Sequence, residues 1–284
     1  MYKNLNLGAL GHNKVPFDAA CTIAQHNNFA GIDPDLGYLS NLAQTRTLQD
    51  AKDWFAATGL RIGAFGLNAA WRENDSDSAF ADSLPKLEAE AKLAAALGST
   101  RCTTWVMPRS DKHTYYQQFS LVVPRLKQAA AVLAQYGVSL GLEFIGPDTL
   151  RAGTAHDFVH TMDGMRALAA AAGPNVGLLL DLWHWFTARG TVLELTQLAV
   201  EEVVYVHLND APPGLAVDQL LDQEREMVGA TGVLPTHDFL VALKNLGYTG
   251  PLTVEPFNAA VKAMTPEQAA TTTSAALDTV LKGV

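Results

Sequence analysis

The chain has 284 residues, 48% of them hydrophobic and 17% charged, which is enough to bury a full core. Its net charge of −9 and pI near 5.3 disfavour a nucleic-acid footprint. No run of about 18 apolar residues is present to span a membrane, and the opening Met1-Tyr-Lys-Asn-Leu-Asn-Leu lacks the apolar centre of a signal peptide.

The two cysteines, Cys21 and Cys102, have no metal-binding or redox spacing and give no disulfide framework. The expectation is a protein of a reducing compartment, the cytoplasm, with no membrane partner.

In chain order, short apolar runs alternate with helical patterns. Leu5–Leu10 reads as a first strand closed by Gly8 and Gly11. Pro16–Asn27 carries Phe17, Ala20, Ile23 and Ala24 at helical spacing. Phe29–Ile32 is a second strand ending at Asp33. Leu48–Thr58 is a helix with Trp54 and Phe55 inward, stopped by Gly59. Leu60–Leu67 is a third strand, and the polar stretch Asn68–Asp82 reads as a surface loop.

Leu84–Leu97 is an Ala-rich helix with Pro85 near its start and Gly98 past its end. Thr100–Met107 is a fourth strand. Tyr115–Tyr136 is a long helix that Pro124 should kink or break. Val138 begins a fifth strand that reaches Glu143, and Ala155–Ala172 is the next helix. Val176–Asp181 is strand six, and Leu193–Val200 a short helix. Strand seven reaches His207, and Ala211–Glu226 is a long insertion. Thr236–Leu246 is a helix, Leu252–Glu255 is strand eight, and a last helix capped by Thr265 runs to Leu281.

Eight strands, each followed by a helix, imply parallel pairing. In a chain of this length the expected fold is a single-domain (β/α)8 TIM barrel over residues 1–284. An open doubly wound sheet is disfavoured, because no Gly-x-Gly-x-x-Gly follows the first strand.

Four of the apolar strands finish on a potential metal ligand: Glu143, Asp181, His207 and Glu255. Side chains at the C-terminal ends of barrel strands converge on one face, where barrel enzymes place their active sites. Three crowded carboxylates repel each other, and a cation removes the repulsion. Three oxygen donors and one imidazole suit Mn²⁺, Mg²⁺ or Co²⁺, with Zn²⁺ also possible. The expected cofactor is one divalent metal, Mn²⁺ first. His184, three residues beyond Asp181, reads as a substrate contact.

Several motifs carry a resemblance: Leu142-Glu143-Phe144, Asp181-Leu-Trp-His184, His207-Leu-Asn-Asp210, Arg225 with Gly229-Ala-Thr-Gly232, and Tyr248-Thr-Gly-Pro-Leu-Thr-Val-Glu255-Pro-Phe. On these the chain resembles the xylose isomerase-like barrel superfamily, in its sugar phosphate isomerase/epimerase branch. They cover about residues 138–258. The first half agrees only in strand–helix rhythm.

The resemblance implies that Glu143, Asp181, His207 and Glu255 bind the metal. It also implies that Glu143 and Glu255 act as the acid/base pair, and that His184 and Arg225 hold substrate oxygens. The family often carries Pro-Gly-Glu-Gly where this chain has Gly229-Ala-Thr-Gly232, and a homo-oligomer is a family-level expectation.

Aromatic side chains near the strand ends, Phe65, Trp105, Phe144, Trp183, Trp185 and Phe257, would shape a pocket for the C–H faces of a sugar, with Trp105 and Trp183 as substrate contacts. Arg151 is a candidate anion contact. Removing a proton beside a carbonyl needs a base and a way to hold enolate charge, which a carboxylate and a divalent metal supply. The expected activity is isomerisation or epimerisation of a sugar or sugar phosphate through a cis-enediolate.

Three rivals differ in class. An inositol-catabolism-type dehydratase would use the same metal and expel a hydroxyl. A sugar-binding barrel would bind without turnover. A DNA-repair endonuclease of the same superfamily would need histidines at strands three and four, where Ala64-Phe-Gly-Leu and Thr104-Trp-Val-Met stand.

Overall fold

The structure, a computed structural model, describes residues 1–284. Eight strand positions form one parallel sheet: β1 Tyr2–Leu5, β2 Gly31–Ile32, β3 in two pieces (Arg61–Ile62 and Phe65–Gly66), β4 Arg101–Val106, β5 Ser139–Phe144, β6 Val176–Asp181, β7 Val203–Leu208 and β8 Pro251–Val254. β1 pairs with β8 on one side and β2 on the other. The first piece of β3 pairs with β2 and the second with β4, so the ring closes through Gly63-Ala64. This is the expected TIM barrel.

Gly63 is required where β3 changes partner. A Cβ there would overlap Asp33 Oδ1 and lie 2.8 Å from Asn4 Oδ1. A glycine inside a strand pattern marks such a close approach.

The helices are α1 Phe17–His26, α2 Leu36–Thr45, α3 Leu48–Ala57, α4 Asp77–Ala96, α5 Tyr115–Ala134, α6 Met162–Ala172, α7 Leu182–Thr187, α8 Val192–Leu195, α9 Thr236–Asn245, α10 Ala259–Lys262 and α11 Pro266–Val280. Their inner faces and the outer faces of the strands bury a core cluster of 63 residues. At about 25 cal/mol per Å² of apolar surface, that burial is the main favourable term in folding.

Several expectations are corrected. The first strand is Tyr2–Leu5, not Leu5–Leu10, and residues 7–11 are turn. Polar Lys3 and Asn4 hide it, because Asn4 points into the barrel and donates to Asp33, Tyr205 and Thr253. Most of the expected loop 68–82 is loop, but α4 starts at Asp77, two turns before Leu84, with the Ser76 hydroxyl accepting from Ala79 N.

Pro85 therefore lies inside α4, and Pro124 lies inside an unbroken α5. Both prolines are exposed, so water can reach the carbonyls they leave free. The helix expected at 155–172 starts at Met162, because His156–Asp157 pairs with Arg109–Ser110 in a small antiparallel ribbon. Helices α2 and α7 were not expected, and α8 replaces the helix expected at 193–200.

Candidate metal centre

Asp181 closes β6 and caps α7. Its Oδ1 accepts from Trp183 N at 2.6 Å and from Asn209 Nδ2 at 3.1 Å. An acidic cap at a helix start is doubly favoured, by the free N–H and by the helix dipole. Its Oδ2 accepts from Arg225 at 3.1 Å. The carboxylate is fully buried, and these partners meet the desolvation cost that an unpaired charge would carry.

Glu143 in β5, His207 in β7 and Glu255 just past β8 converge on the same point. His207 Nδ1 lies 3.4 Å from Glu143 Oε1, 3.5 Å from Glu255 Oε2 and 3.8 Å from Asp181 Oδ2. All four ligand-type atoms lie within 4.8 Å of one another. Two bonds of about 2.1 Å to one cation span roughly 3–4 Å, so the residues fit a divalent cation. Glu143 Oε1 and His207 Nδ1 are buried without a hydrogen-bond partner. Such orphans cost on the order of 1–3 kcal/mol each, and a cation would satisfy both.

Burial pushes the Glu143 carboxyl up to about 7, against the pull of His207. Burial would also depress the His207 ring, but the carboxylates led by Glu255 raise it well above the ordinary histidine value. Glu255, despite burial, is held below its ordinary value by His207 and Arg225. Asp181, despite burial, is held well below the carboxylate range by Arg225 and the two histidines. Protons on His207 and Glu143, with the Arg225 guanidinium, are therefore what balances the carboxylates.

Arg225 is 1% exposed. One terminal nitrogen donates to Asp181 at 3.1 Å and to Glu255 at 3.0 Å. The other donates to Asp222 at 2.8 Å and faces His184 Nε2 at 3.2 Å. Its guanidinium carbon lies 4.5 Å from the Phe257 ring centroid, and Phe257 holds a positive φ of 40°, an uncommon backbone region for a bulky residue. The long insertion thus returns this arginine to the ligand cluster. Asp210 fixes the loop behind it, accepting from the backbone N–H groups of Ala211, Thr231, Gly232 and Leu234.

His184 is 1% exposed, and burial lowers its pKa to about 4, so the ring is neutral. Gly146 N–H points at Nδ1 from 3.3 Å. The remaining expected residues are spread around the cluster. Trp183 is fully buried with its ring 5.5 Å from the Arg225 guanidinium. Trp105 is 42% exposed and covered on one face by Arg72 at 3.7 Å. Arg151 is tied to Asp148 and to the carbonyls of Gly146 and Pro147.

A cavity of about 700 Å³ opens over β1–β3 and reaches the cluster at His207, with Tyr205 beside it. Three groups were not anticipated. Asn209 orients Asp181, and Asp222 orients Arg225. Asp33 accepts from Asn6, Asn4 and Tyr205 in the cavity floor. Position at the end of β2 was the available signal for Asp33.

A parallel barrel whose C-terminal rim gathers three carboxylates and an imidazole around one point defines a class of barrel with a divalent-cation-type site. Within that class, the chain belongs to the xylose isomerase-like TIM barrel family, which it matches over residues 21–280.

It is 24% identical over 233 residues to an inosose isomerase of Halalkalibacterium halodurans, covering 81% of this chain and 79% of that one. Among solved structures it resembles a xylose isomerase domain protein of Alicyclobacillus acidocaldarius with a TM-score of 0.88 and 28% identity, over 99% of this chain and 98% of that one. It also shares the fold of the IOLI protein with a bound zinc atom, with a TM-score of 0.80 and 18% identity, over 99% and 98% of the two chains. No helix is long and apolar enough to cross a membrane.

Proposed function

We propose that the chain is a divalent-metal-dependent isomerase or epimerase of a keto sugar or keto polyol, working by proton transfer beside the carbonyl. The observation that carries this reading is the convergence of Glu143, Asp181, His207 and Glu255, with two of their buried atoms unpartnered. Glu143, Asp181, His207 and Glu255 would hold the cation. When bound, it supplies Lewis acidity to hold enolate charge. The donor set suits Mn²⁺ first, and a protein of the same fold, IOLI, is known with a bound zinc atom.

The chain's own groups supply the rest. Glu143 and Glu255 sit in different surroundings, one raised in pKa by burial, the other lowered against burial by His207 and Arg225. With the cation in place both carboxylates are deprotonated; one takes the proton from the carbon beside the carbonyl, and the other returns a proton drawn from solvent to complete the exchange. Arg225, buried and bonded to Asp181 and Glu255, positions those two carboxylates, and His184 faces it from behind. The inosose isomerase relative supports a cyclic or linear keto polyol as substrate class.

The test is exchange of carbon-bound hydrogen with solvent, with Mn²⁺ present. Glu143→Gln and Glu255→Gln should each slow exchange by about 10²–10⁴-fold while the fold is retained. Exchange at wild-type rate in both variants would remove the two-carboxylate mechanism. Product analysis on a keto-inositol separates isomerisation from loss of water.

A further inference from the structure

Beyond the cation cluster, the large cavity has a chemistry of its own. Its 23 lining residues include three carboxylates, Asp33, Asp35 and Glu90, and no lysine or arginine. Lys14, next to Asn13, and Lys262, against Gly11 and 5.8 Å from the Phe257 ring, are exposed at the rim, and neither is among the lining residues. The nearby arginines are committed elsewhere: Arg225 to Asp181, Glu255 and Asp222, Arg151 to Asp148, and Arg72 to Trp105 and Thr104.

Two helix starts line the cavity and could in principle receive an anion, but each already carries a carboxylate. Asp35 caps α2 and accepts from Tyr38 N. Asp18 sits in the first turn of α1 and accepts from Ala19 N.

Against that background, Asp33 is the carboxylate that the floor holds in place. Its Oδ1 is saturated by Asn4 at 2.8 Å, Tyr205 at 2.7 Å and Ala64 N at 3.0 Å. Its Oδ2 accepts from Asn6 at 2.8 Å; the single Tyr205 hydroxyl hydrogen already serves Oδ1, so Oδ2, 2.9 Å from the Tyr205 oxygen, keeps an acceptor position for a substrate hydroxyl. His12 also lines the cavity, with Nε2 buried and unpartnered. Neutral amides from Asn13 and Asn68 complete the polar wall.

This wall supplies many neutral donors and acceptors and a surplus of negative charge. Hydroxyl groups pair with such a surface. A phosphate dianion inside it is repelled and finds no Arg or Lys among the lining residues.

We propose that this cavity receives the part of the substrate remote from the cation cluster, that Asp33 is a specificity residue accepting hydroxyl hydrogen bonds there, and that the substrate is an uncharged keto polyol rather than its phosphate ester. The inference rests on the isomerase reading and adds the substrate class to it. The cavity volume, about 700 Å³, lies within the roughly 300–1,000 Å³ typical of small-molecule sites.

The test compares inosose and D-psicose with D-psicose 6-phosphate and D-fructose 6-phosphate, using wild-type protein with Mn²⁺. The uncharged compounds should exchange solvent hydrogen with kcat/KM at least tenfold above the esters. Esters that exchange as well or better overturn the inference and leave the isomerase reading standing.

Calorimetric binding of the same four compounds is measured in parallel on the cation-free protein. If nothing exchanges but inosose or D-psicose binds and the esters do not, the reaction assignment fails while the cavity assignment holds. If none of the four binds or exchanges, the inference is overturned. In Asp33→Asn, KM for the uncharged substrate should rise about 10–100-fold with kcat little changed. An unchanged KM in a folded variant removes Asp33 from the role. The ester comparison uses wild-type protein, so it decides even if that variant does not fold.

Discussion

Asn209 shows how much of a ligand site lies in residues that touch no ligand. Fully buried, it donates to Asp181 Oδ1 at 3.1 Å and leaves Oδ2 to face His207 and Arg225. Residues that orient a ligating carboxylate typically change metal affinity 10–100-fold when removed. Asn209→Ala should therefore weaken Mn²⁺ binding by about 10–100-fold, read as free Mn²⁺ by electron paramagnetic resonance, and should cost the cation-free protein about 1–3 kcal/mol, because a buried carboxylate loses a donor. Affinity within twofold of wild type would show that Asp181 is held without it. The four convergent residues were legible because each ends an apolar run, and a charge there stands out. Asn209 was not: an Asn after a strand has the composition of any turn, and its role depends on a neighbour 28 residues away. Asp33 was hidden in the same way, since its partners Tyr205 and Asn4 lie across the barrel.

At the scale of elements, the second half of the barrel was readable and the first half less so, for a physical reason. Strands β5, β6 and β7 are six residues each and almost wholly buried, so they appear as continuous apolar runs. β1 is interrupted by an inward Asn4, β2 has two residues, and β3 is split at Gly63-Ala64. The split makes a specific demand. A methyl group at Gly63 meets Asp33 Oδ1 and both ends of the Asn4 amide, the latter at 2.8 and 3.0 Å. Gly63→Ala should destabilise the fold by about 1–3 kcal/mol, the usual cost of overpacking, measured by urea unfolding. It should also raise KM for the uncharged substrate, because Asp33 must move. A variant as stable as wild type would mean that β3 can shift its register without loss. The prolines make the complementary point about helices. Pro85 and Pro124 read as boundaries, yet both are exposed on outer faces, and amphipathic packing of the opposite faces carries α4 and α5 through them.

For the whole molecule, the cation cluster is a point where net charge, folding and binding meet. The chain carries −9, and the rim concentrates three carboxylates in a buried space. Burial raises Glu143 from 4.5 to about 7, so the folded protein keeps a proton that the unfolded chain releases. That contribution is complete below about 4.5 and is lost as pH rises through about 7. His207, raised above 6.5 by its carboxylate neighbours against burial, acts in the same direction: its contribution is full below 6.5 and lost above its folded value. A divalent cation replaces both protons, so its binding competes with them and strengthens as pH rises. At 100 times its dissociation constant, a ligand specific to the folded state adds about 2.7 kcal/mol, which is roughly 5–10 °C in a chain of this size. With Mn²⁺ at fixed concentration, the gain in thermal midpoint should therefore be larger at pH 8 than at pH 5.5. His184, whose pKa burial lowers to about 4, destabilises the cation-free fold as pH falls from 6.5 toward 4. The measurement is a pair of melting curves at each pH, with Mn²⁺ and with chelator. An equal gain at both pH values would mean that the cation is not held by groups that must first lose a proton, and the assignment of Glu143 and His207 as ligands would fail.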